Sequence, residues 1–325
     1  MRKGFTTGTA AAAATKAAII YKKTGKLPEY VFVNLPNKKS LKIPVFLEDG
    51  LVGVKKDAGD DPDITNNIKI FSKITIEEGK KDIIIDGGEG VGLVVKKGLQ
   101  VDVGRKAINP VPQKMIKENA IPLIGDNERI LVEIIVPDGK RIAKKTFNER
   151  LGIIDGISIL GTTGIVEPMS VKALIASIEC EIDVLVANNE DYFFLVPGRI
   201  GERHLKSLTD APCVQVSNYF DGAFNYLKQK GIRKFGIAGH PGKIAKLAMG
   251  YYNTHSRFSP QAIDFVKTIE GIEQNVNTVE EICQLKGYLG LNKTASLVKE
   301  RVKNDFGFEV DVILFDMKGK LVGRA

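Results

Sequence analysis

Two glycine-bearing loops carry the residue types best suited to chemistry. In Leu151–Ser170, LGIIDGISILGTTGIVEPMS, the apolar run of Ile157, Ile159 and Leu160 suits a buried strand, and Gly161-Thr162-Thr163-Gly164 breaks it. Pro168 then suits a first helical position, and Val171, Leu174, Ile175 and Ile178 fall on one helical face. Glycines let a ligand approach the backbone, hydroxyls donate to it, and a helix start offers unpaired N–H groups. The loop therefore suits a small polar or anionic ligand, a tight packed turn being the other reading. The second loop, Gly239-His240-Pro241-Gly242-Lys243, resembles a phosphate loop but has Ile237 where the first glycine is required and Ile244 where the hydroxyl is required. What remains is a helix start with Lys243 and Lys246 one turn apart, a cradle for carboxylates. Asn253-Thr254-His255-Ser256 follows, rich in donors and acceptors.

Composition narrows the classes of function. A chain of 325 residues that is 43% hydrophobic can bury two cores, since one core seldom grows beyond about 250 residues. No apolar run reaches the ~20 residues of a membrane span, and the N-terminus has no signal-type apolar region, so a cytoplasmic chain without a membrane partner is expected. Cys180, Cys213 and Cys283 are far apart, which fits buried core residues rather than a disulfide framework or zinc site. Lys and Arg number 47 against 39 Asp and Glu, a net charge of +8. That charge is scattered and Trp is absent, which argues against nucleic acid and equally suits a ligand bearing several carboxylates. Of the histidines, His240 and His255 fall in loops, while His204 falls in a helix and reads as structural; no third ligand completes a metal site.

The elements that must position these groups change in rhythm along the chain. Near the start, GFTTGTAAAAATKAA predicts a helix capped by Thr7 or Thr9 and ending near Gly25, with Thr6, Thr7 and Thr9 available to a ligand. Strands are predicted at 30–33, 41–46, 51–55, 68–77 and 82–86. The acidic loop Asp57-Ala58-Gly59-Asp60-Asp61-Pro62-Asp63 lies among them, either a solvated turn or a substrate or cofactor contact. The run Gly87–Gly92 is followed by strand-type residues, so it is a strand-to-strand turn and not a dinucleotide fingerprint. Ile108-Asn109-Pro110-Val111-Pro112 forces an extended path before a short helix, and 130–136 with 141–146 predicts a hairpin about Asp138-Gly139. After Leu151, strands predicted at 182–187, 193–196, 214–217, 234–238 and 310–315 alternate with helices, which implies a parallel sheet. The expected architecture mixes α/β and α+β: an N-terminal mixed-sheet α+β domain over 1–150 and a C-terminal Rossmann-like α/β domain over 151–325.

Taken together, GFTTGTAAAAATKAA, KKDAGDDPDIT, GEGVGLV, AINPVPQKMI, GISILGTTGIVEPMS and GHPGKIAKLAMGYYNTHS resemble the CbiD family, the cobalt-precorrin-5B C(1)-methyltransferases of anaerobic cobalamin biosynthesis. The match runs in order from Gly4 to Ser256. It departs at Arg105-Lys106, where the family tends to an acidic residue and proline, and at Asp155, where it tends to glycine.

The resemblance implies methyl transfer from S-adenosylmethionine to C(1) of a cobalt tetrapyrrole, giving cobalt-precorrin-6A. On that basis the cofactor is expected at Gly161, Thr162, Thr163 and Gly164. The anionic cobalt-tetrapyrrole substrate is expected at Thr6, Thr7, Thr9, Asn109, His240, Lys243 and Lys246. Asp60, Asp61 and His255 are the candidates for orienting the macrocycle or moving a proton. The cobalt arrives with the substrate, so no protein metal site is expected, and homo-oligomerisation is left open. The rival readings are a phosphotransferase and a non-enzymatic binder of an acidic small molecule.

Overall fold

Helix α1 (Thr7–Thr24) is buried on almost every side, with Ala10 to Ala14, Ala17 and Ile19 at or near zero exposure. A helix apolar all round belongs in a core, and its alanines let neighbouring backbones come close. The computed structural model describes residues 1–325, which divide into two units, Met1–Ser170 and Val171–Ala325. The expected boundary at 150 thus falls twenty residues later. Residues 151–170 belong to the first unit because Ile153–Ile154 pairs with Leu93–Val94, and Ile165–Val166 with Gly4–Phe5.

In the first unit a five-stranded sheet runs in the order β1 (Phe46–Glu48), β2 (Leu51–Lys55), β3 (Lys69–Glu78), β5 (Glu128–Ile135), β4 (Asp82–Gly87). All its junctions are antiparallel except β4 with β5, so the sheet is mixed. Helix α1 lies against β2 and β3, where Thr15 and Ser72 share a hydrogen bond of 3.1 Å in the core. Helix α2 (Pro110–Ala120) packs beside α1, and Pro110 opens it instead of extending the chain, because a proline needs no N–H partner at a first helical position. The predicted hairpin at 130–146 does not form. Its second arm becomes a short helix, Gly139–Ala143, whose first residue lies so close to Gly90 that a Cβ on Gly139 would sit 2.0 Å from the Gly90 carbonyl oxygen. The glycine run at 87–92 therefore admits backbone.

In the second unit, helix α3 (Val171–Ala187) absorbs the strand predicted at 182–187, since Ile178, Ile182 and Val184 are its buried positions. The elements that follow are β6 (Phe194–Val196), α4 (Arg199–Lys206), β7 (Cys213–Gln215), α5 (Phe220–Gln229), β8 (Lys234–Gly239), α6 (Pro241–Ala248), α7 (Ile263–Glu270), α8 (Val279–Lys286), α9 (Asn292–Phe306), β9 (Glu309–Phe315) and β10 (Leu321–Arg324). They form a sheet of order β7-β6-β8-β9-β10, parallel except for the last strand. Both faces are covered. Leu195, Ile237, Val312 and Leu314 join one core, while Phe194, Val196, Ala238, Ile313 and Phe315 join a smaller one under Leu205 of α4. Continuous burial along a strand is what a sheet covered on both faces requires.

Candidate active site

From β6 the chain turns through α4 to β7 on one side, then crosses through α5 to β8 on the other. Adjacent strands whose connections leave in opposite directions open a crevice beyond their carboxyl ends, where ligands of such sheets bind. A cavity of about 410 Å³ occupies this position, bounded by the loop Pro197–Gly201 after β6, the loop Gly239–Lys243 after β8, and Phe315, Asp316 and Met317 after β9. A volume of that order suits a drug-sized ligand.

The walls combine apolar surface with unspent polar groups. Gly198 caps α4 without a side-chain bond, so the first N–H groups of that helix are left to a ligand. Lys243 is half-buried with no carboxylate partner, and burial, followed by the charge of Lys246, pushes its ammonium below the usual lysine range. His204 is 8% exposed, and its Nε2 has no hydrogen-bond partner. Asp316 has its Oδ1 engaged, accepting from the backbone N–H groups of Lys318 at 2.9 Å and Lys320 at 2.8 Å.

His240 serves the scaffold. Its Nδ1 caps α6 by accepting the Gly242 N–H at 3.1 Å, and its Nε2 lies 3.1 Å from Glu280 Oε2, which also accepts the Met317 N–H. With Cys283 these groups form a cluster within 4.8 Å, a spacing that a cation could use. The cap decides otherwise. An Nδ1 that accepts leaves the proton of the neutral ring on Nε2, where it is donated to Glu280 and blocks ligation. Burial, then Glu280 and Asp316, pushes the Cys283 thiol up to about 12, so it stays protonated.

The other expected residues meet different fates. Lys246 is 7% exposed and donates to the Thr254 carbonyl and the Ser259 hydroxyl, both at 3.0 Å, so it braces a loop and is withdrawn from carboxylate binding. His255 is exposed, and its Nδ1 accepts the Arg257 N–H.

In the first unit Thr6, and not Thr7 or Thr9, caps α1. Thr7 Oγ1 donates to the Ser158 and Leu160 carbonyls and accepts the Leu160 N–H, while Thr9 Oγ1 donates to Gly164 O at 2.7 Å. The three threonines and the Gly161–Gly164 loop are thus brought together, but they satisfy one another. A Cβ on Gly161 would lie 2.4 Å from Thr6 Oγ1; Thr162 is exposed, and the Thr163 hydroxyl, also on the surface, donates to the Ile165 carbonyl at 3.1 Å and accepts the Ile165 N–H at 3.2 Å.

Asp60 accepts the Arg2 N–H and Asp61 the Met169 N–H, so both tie down chain ends of the first unit. Asp57 pairs with Arg2 and Asp63 with Lys56, which shows the acidic loop meeting cations. Asn109 stands at the start of α2 with no side-chain cap bond, half-buried.

The family model described as CbiD matches residues 1–168, nearly the whole first unit. A protein named cobalt-precorrin-5B C(1)-methyltransferase from Methanocaldococcus jannaschii is 42% identical over 98% of this chain and 95% of its own. One of the same name from Picrophilus torridus is 40% identical over 99% of each. The chain belongs to the CbiD family. A crystal structure of the cobalamin biosynthesis protein cbiD from Archaeoglobus fulgidus is 27% identical over 96% of this chain and 87% of that one, with a TM-score of 0.45.

At position 155 the backbone itself favours glycine. Asp155 has φ +58, the left-handed region that glycine enters most easily, and here its carboxylate pairs with Lys140 at 2.6 Å.

The residues that reading the sequence missed are Gly198, His204, Phe315, Asp316 and Met317. Their one visible signal was position at strand ends, Gly198 and Gly201 after β6 and Asp316 after β9.

Proposed function

We propose that this CbiD chain transfers a methyl group from S-adenosylmethionine to C(1) of cobalt-precorrin-5B, forming cobalt-precorrin-6A, with the donor seated in the cavity beyond β6 and β8. The named activity of relatives that align with nearly the whole chain supports the reaction. The single structural observation that carries the donor site is the pair of unspent polar groups in that crevice: the α4 N–H groups and Lys243. The second unit then acts as a Rossmann-like donor-binding domain, and the chain works in the cytoplasm. No helix is long and apolar enough to cross a membrane.

The donor supplies an electrophilic methyl on a sulfonium whose carbon–sulfur bond breaks as the ring carbon bonds to the methyl. The task left to the residues is placement, holding reacting atoms about 3 to 3.5 Å apart. The α4 N–H groups and Lys243 suit the carboxylate of the methionyl end. Ile200, Phe315 and Met317 supply the apolar surface that excludes water from the heteroaromatic end. A wall with one lysine, whose ammonium is itself partly desolvated, holds a carboxylate by charge and hydrogen bond together.

The test is incubation of the full chain with cobalt-precorrin-5B and methyl-labelled S-adenosylmethionine. Label in a product one methyl heavier supports the proposal; label that stays with the donor under turnover conditions for a relative from Methanocaldococcus jannaschii refutes it.

A further inference from the structure

At about 410 Å³ the donor cavity holds one drug-sized ligand and leaves no room for a tetrapyrrole beside it. Methyl transfer nevertheless needs the ring carbon within about 3 to 3.5 Å of the donor methyl, so the macrocycle must lie across the mouth with its edge turned inward. The residues at that mouth have the chemistry for such a ligand.

Ile200 at the start of α4 and Met317 after β9 both line the cavity, yet each keeps 52% of its surface exposed. Large apolar side chains left open on two elements around one opening form a surface that gains by being covered. The turn that follows Met317 is held against α4, since Gly319 packs on the His204 ring with no space for a Cβ. The two residues are therefore fixed on adjacent elements.

The charge around this opening is positive. Arg199 lines the cavity next to Ile200, is exposed, and makes no hydrogen bond or ion pair through its side chain. It stands at the first position of α4, where the helix dipole favours an anion over a cation, so local structure gives no reason for it. Arg203 follows one turn later and Lys318 lies on the neighbouring turn, both exposed and without a carboxylate partner. The carboxylates nearby are committed. Glu202 is 8% exposed, pairs with Lys206 and accepts from Gln215, and Asp316, the only acid in the lining, accepts the N–H groups of Lys318 and Lys320.

We propose that this mouth is the docking face for the tetrapyrrole: Ile200 and Met317 lie against the apolar plane of the macrocycle, and Arg199 takes one of its peripheral carboxylates. The proposal rests on the donor site above and adds the substrate to it. An apolar plane edged with carboxylates matches an apolar opening edged with cations. The planar fork of Arg199 binds a carboxylate through two N–H groups at once, which fixes orientation as well as affinity, and orientation decides which ring carbon meets the methyl. Lys243, deeper and partly desolvated, stays with the donor.

The test uses the full chain with cobalt-precorrin-5B and with S-adenosylhomocysteine, the stable product of the donor. Arg199→Gln should raise the KM for cobalt-precorrin-5B about tenfold and leave the affinity for S-adenosylhomocysteine, read by calorimetry, unchanged. Arg199→Lys keeps the charge without the fork and should recover part of the loss. On the wild-type chain, cobalt-precorrin-5B should shield Arg199 from phenylglyoxal, followed by peptide mass mapping, whereas S-adenosylhomocysteine alone should not.

An unchanged KM in Arg199→Gln, a loss of S-adenosylhomocysteine affinity in that variant, or equal modification of Arg199 with and without the tetrapyrrole would each overturn the proposal. Because shielding is read on the wild-type chain, a variant that fails to fold does not remove the test. Binding of S-adenosylhomocysteine to the wild-type chain reports on the donor site by itself, so a misplaced donor and a misplaced macrocycle give different results.

Discussion

The Lys56 ammonium lies 2.5 Å from Asp63 Oδ2, with the Lys56 side chain 1% exposed and that of Asp63 26% exposed. Burial pushes the Asp63 carboxyl up, but the charge and hydrogen bond of Lys56, with bonds from Thr65, override this and hold it below the usual carboxylate range. Replacing Asp63 with Asn leaves a buried, uncompensated ammonium and should cost about 3 kcal/mol of stability, measured by denaturant unfolding. A depressed folded pKa gives stability that is present above the unfolded value, about 4, and is lost as pH falls through the folded value. The stability gap between wild type and Asp63→Asn should therefore be constant near pH 7 and shrink below about pH 4. A gap independent of pH would show that the pair is not the cause.

Lys243 and Lys246 separate into a lysine with no carboxylate partner and one that braces a loop. Lys243→Ala should weaken S-adenosylhomocysteine binding about tenfold and leave thermal stability nearly unchanged, because its ammonium has no internal partner to lose. Lys246→Ala should instead destabilise by about 2 kcal/mol, since it strips the buried Thr254 carbonyl and Ser259 hydroxyl of their shared partner. Binding lost in proportion to stability for both variants would erase the distinction.

The Gly161–Gly164 loop should respond to its backbone and not to its hydroxyls. Thr162→Ala with Thr163→Ala, both exposed, should change stability by less than about 0.5 kcal/mol and leave S-adenosylhomocysteine affinity intact. Gly161→Ala, at φ +132 and against Thr6, should cost more than about 1 kcal/mol. A tenfold loss of affinity in the threonine double variant would return the donor to this loop.

Thiol chemistry offers a check on the second unit. Burial pushes the Cys180 thiol up to about 11 and that of Cys283 up to about 12, acidic neighbours adding to both. At pH 8 neither should react with a disulfide reagent on the time scale that labels a free cysteine, and both should react once the chain unfolds. Fast labelling of Cys283 in the native chain would contradict its buried place beside His240 and Glu280.

Much of the fold is legible along the chain. The alanine run, the threonines before it and Gly25 after it define α1 to within a residue or two, because helix propensity and caps are local. The alternation after Phe193 reveals the parallel strands for the same reason, since each carries its own apolar run ahead of a polar or glycine-bearing loop. Less legible are Ile182–Ala187, whose apolar run fits strand or buried helix equally well, and Arg141–Thr146, which looks like a returning arm until Gly139 meets Gly90.

By itself, then, the sequence determined membership in a family, the change from a mixed to a parallel sheet, and the loop Gly239–Lys243 as a place where a ligand could bind. Only tertiary structure decided which of its residues are free to do so. Lys243 and Lys246 are one turn apart and chemically identical, yet only Lys246 finds partners in the loop at 254–259. His204 looks structural as a helical residue, and only the fold sets it against the Phe315 ring and Gly319 at the cavity wall. The physical reason is that hydrogen-bond satisfaction and burial depend on groups distant in the chain, whereas propensity and periodicity depend on neighbours.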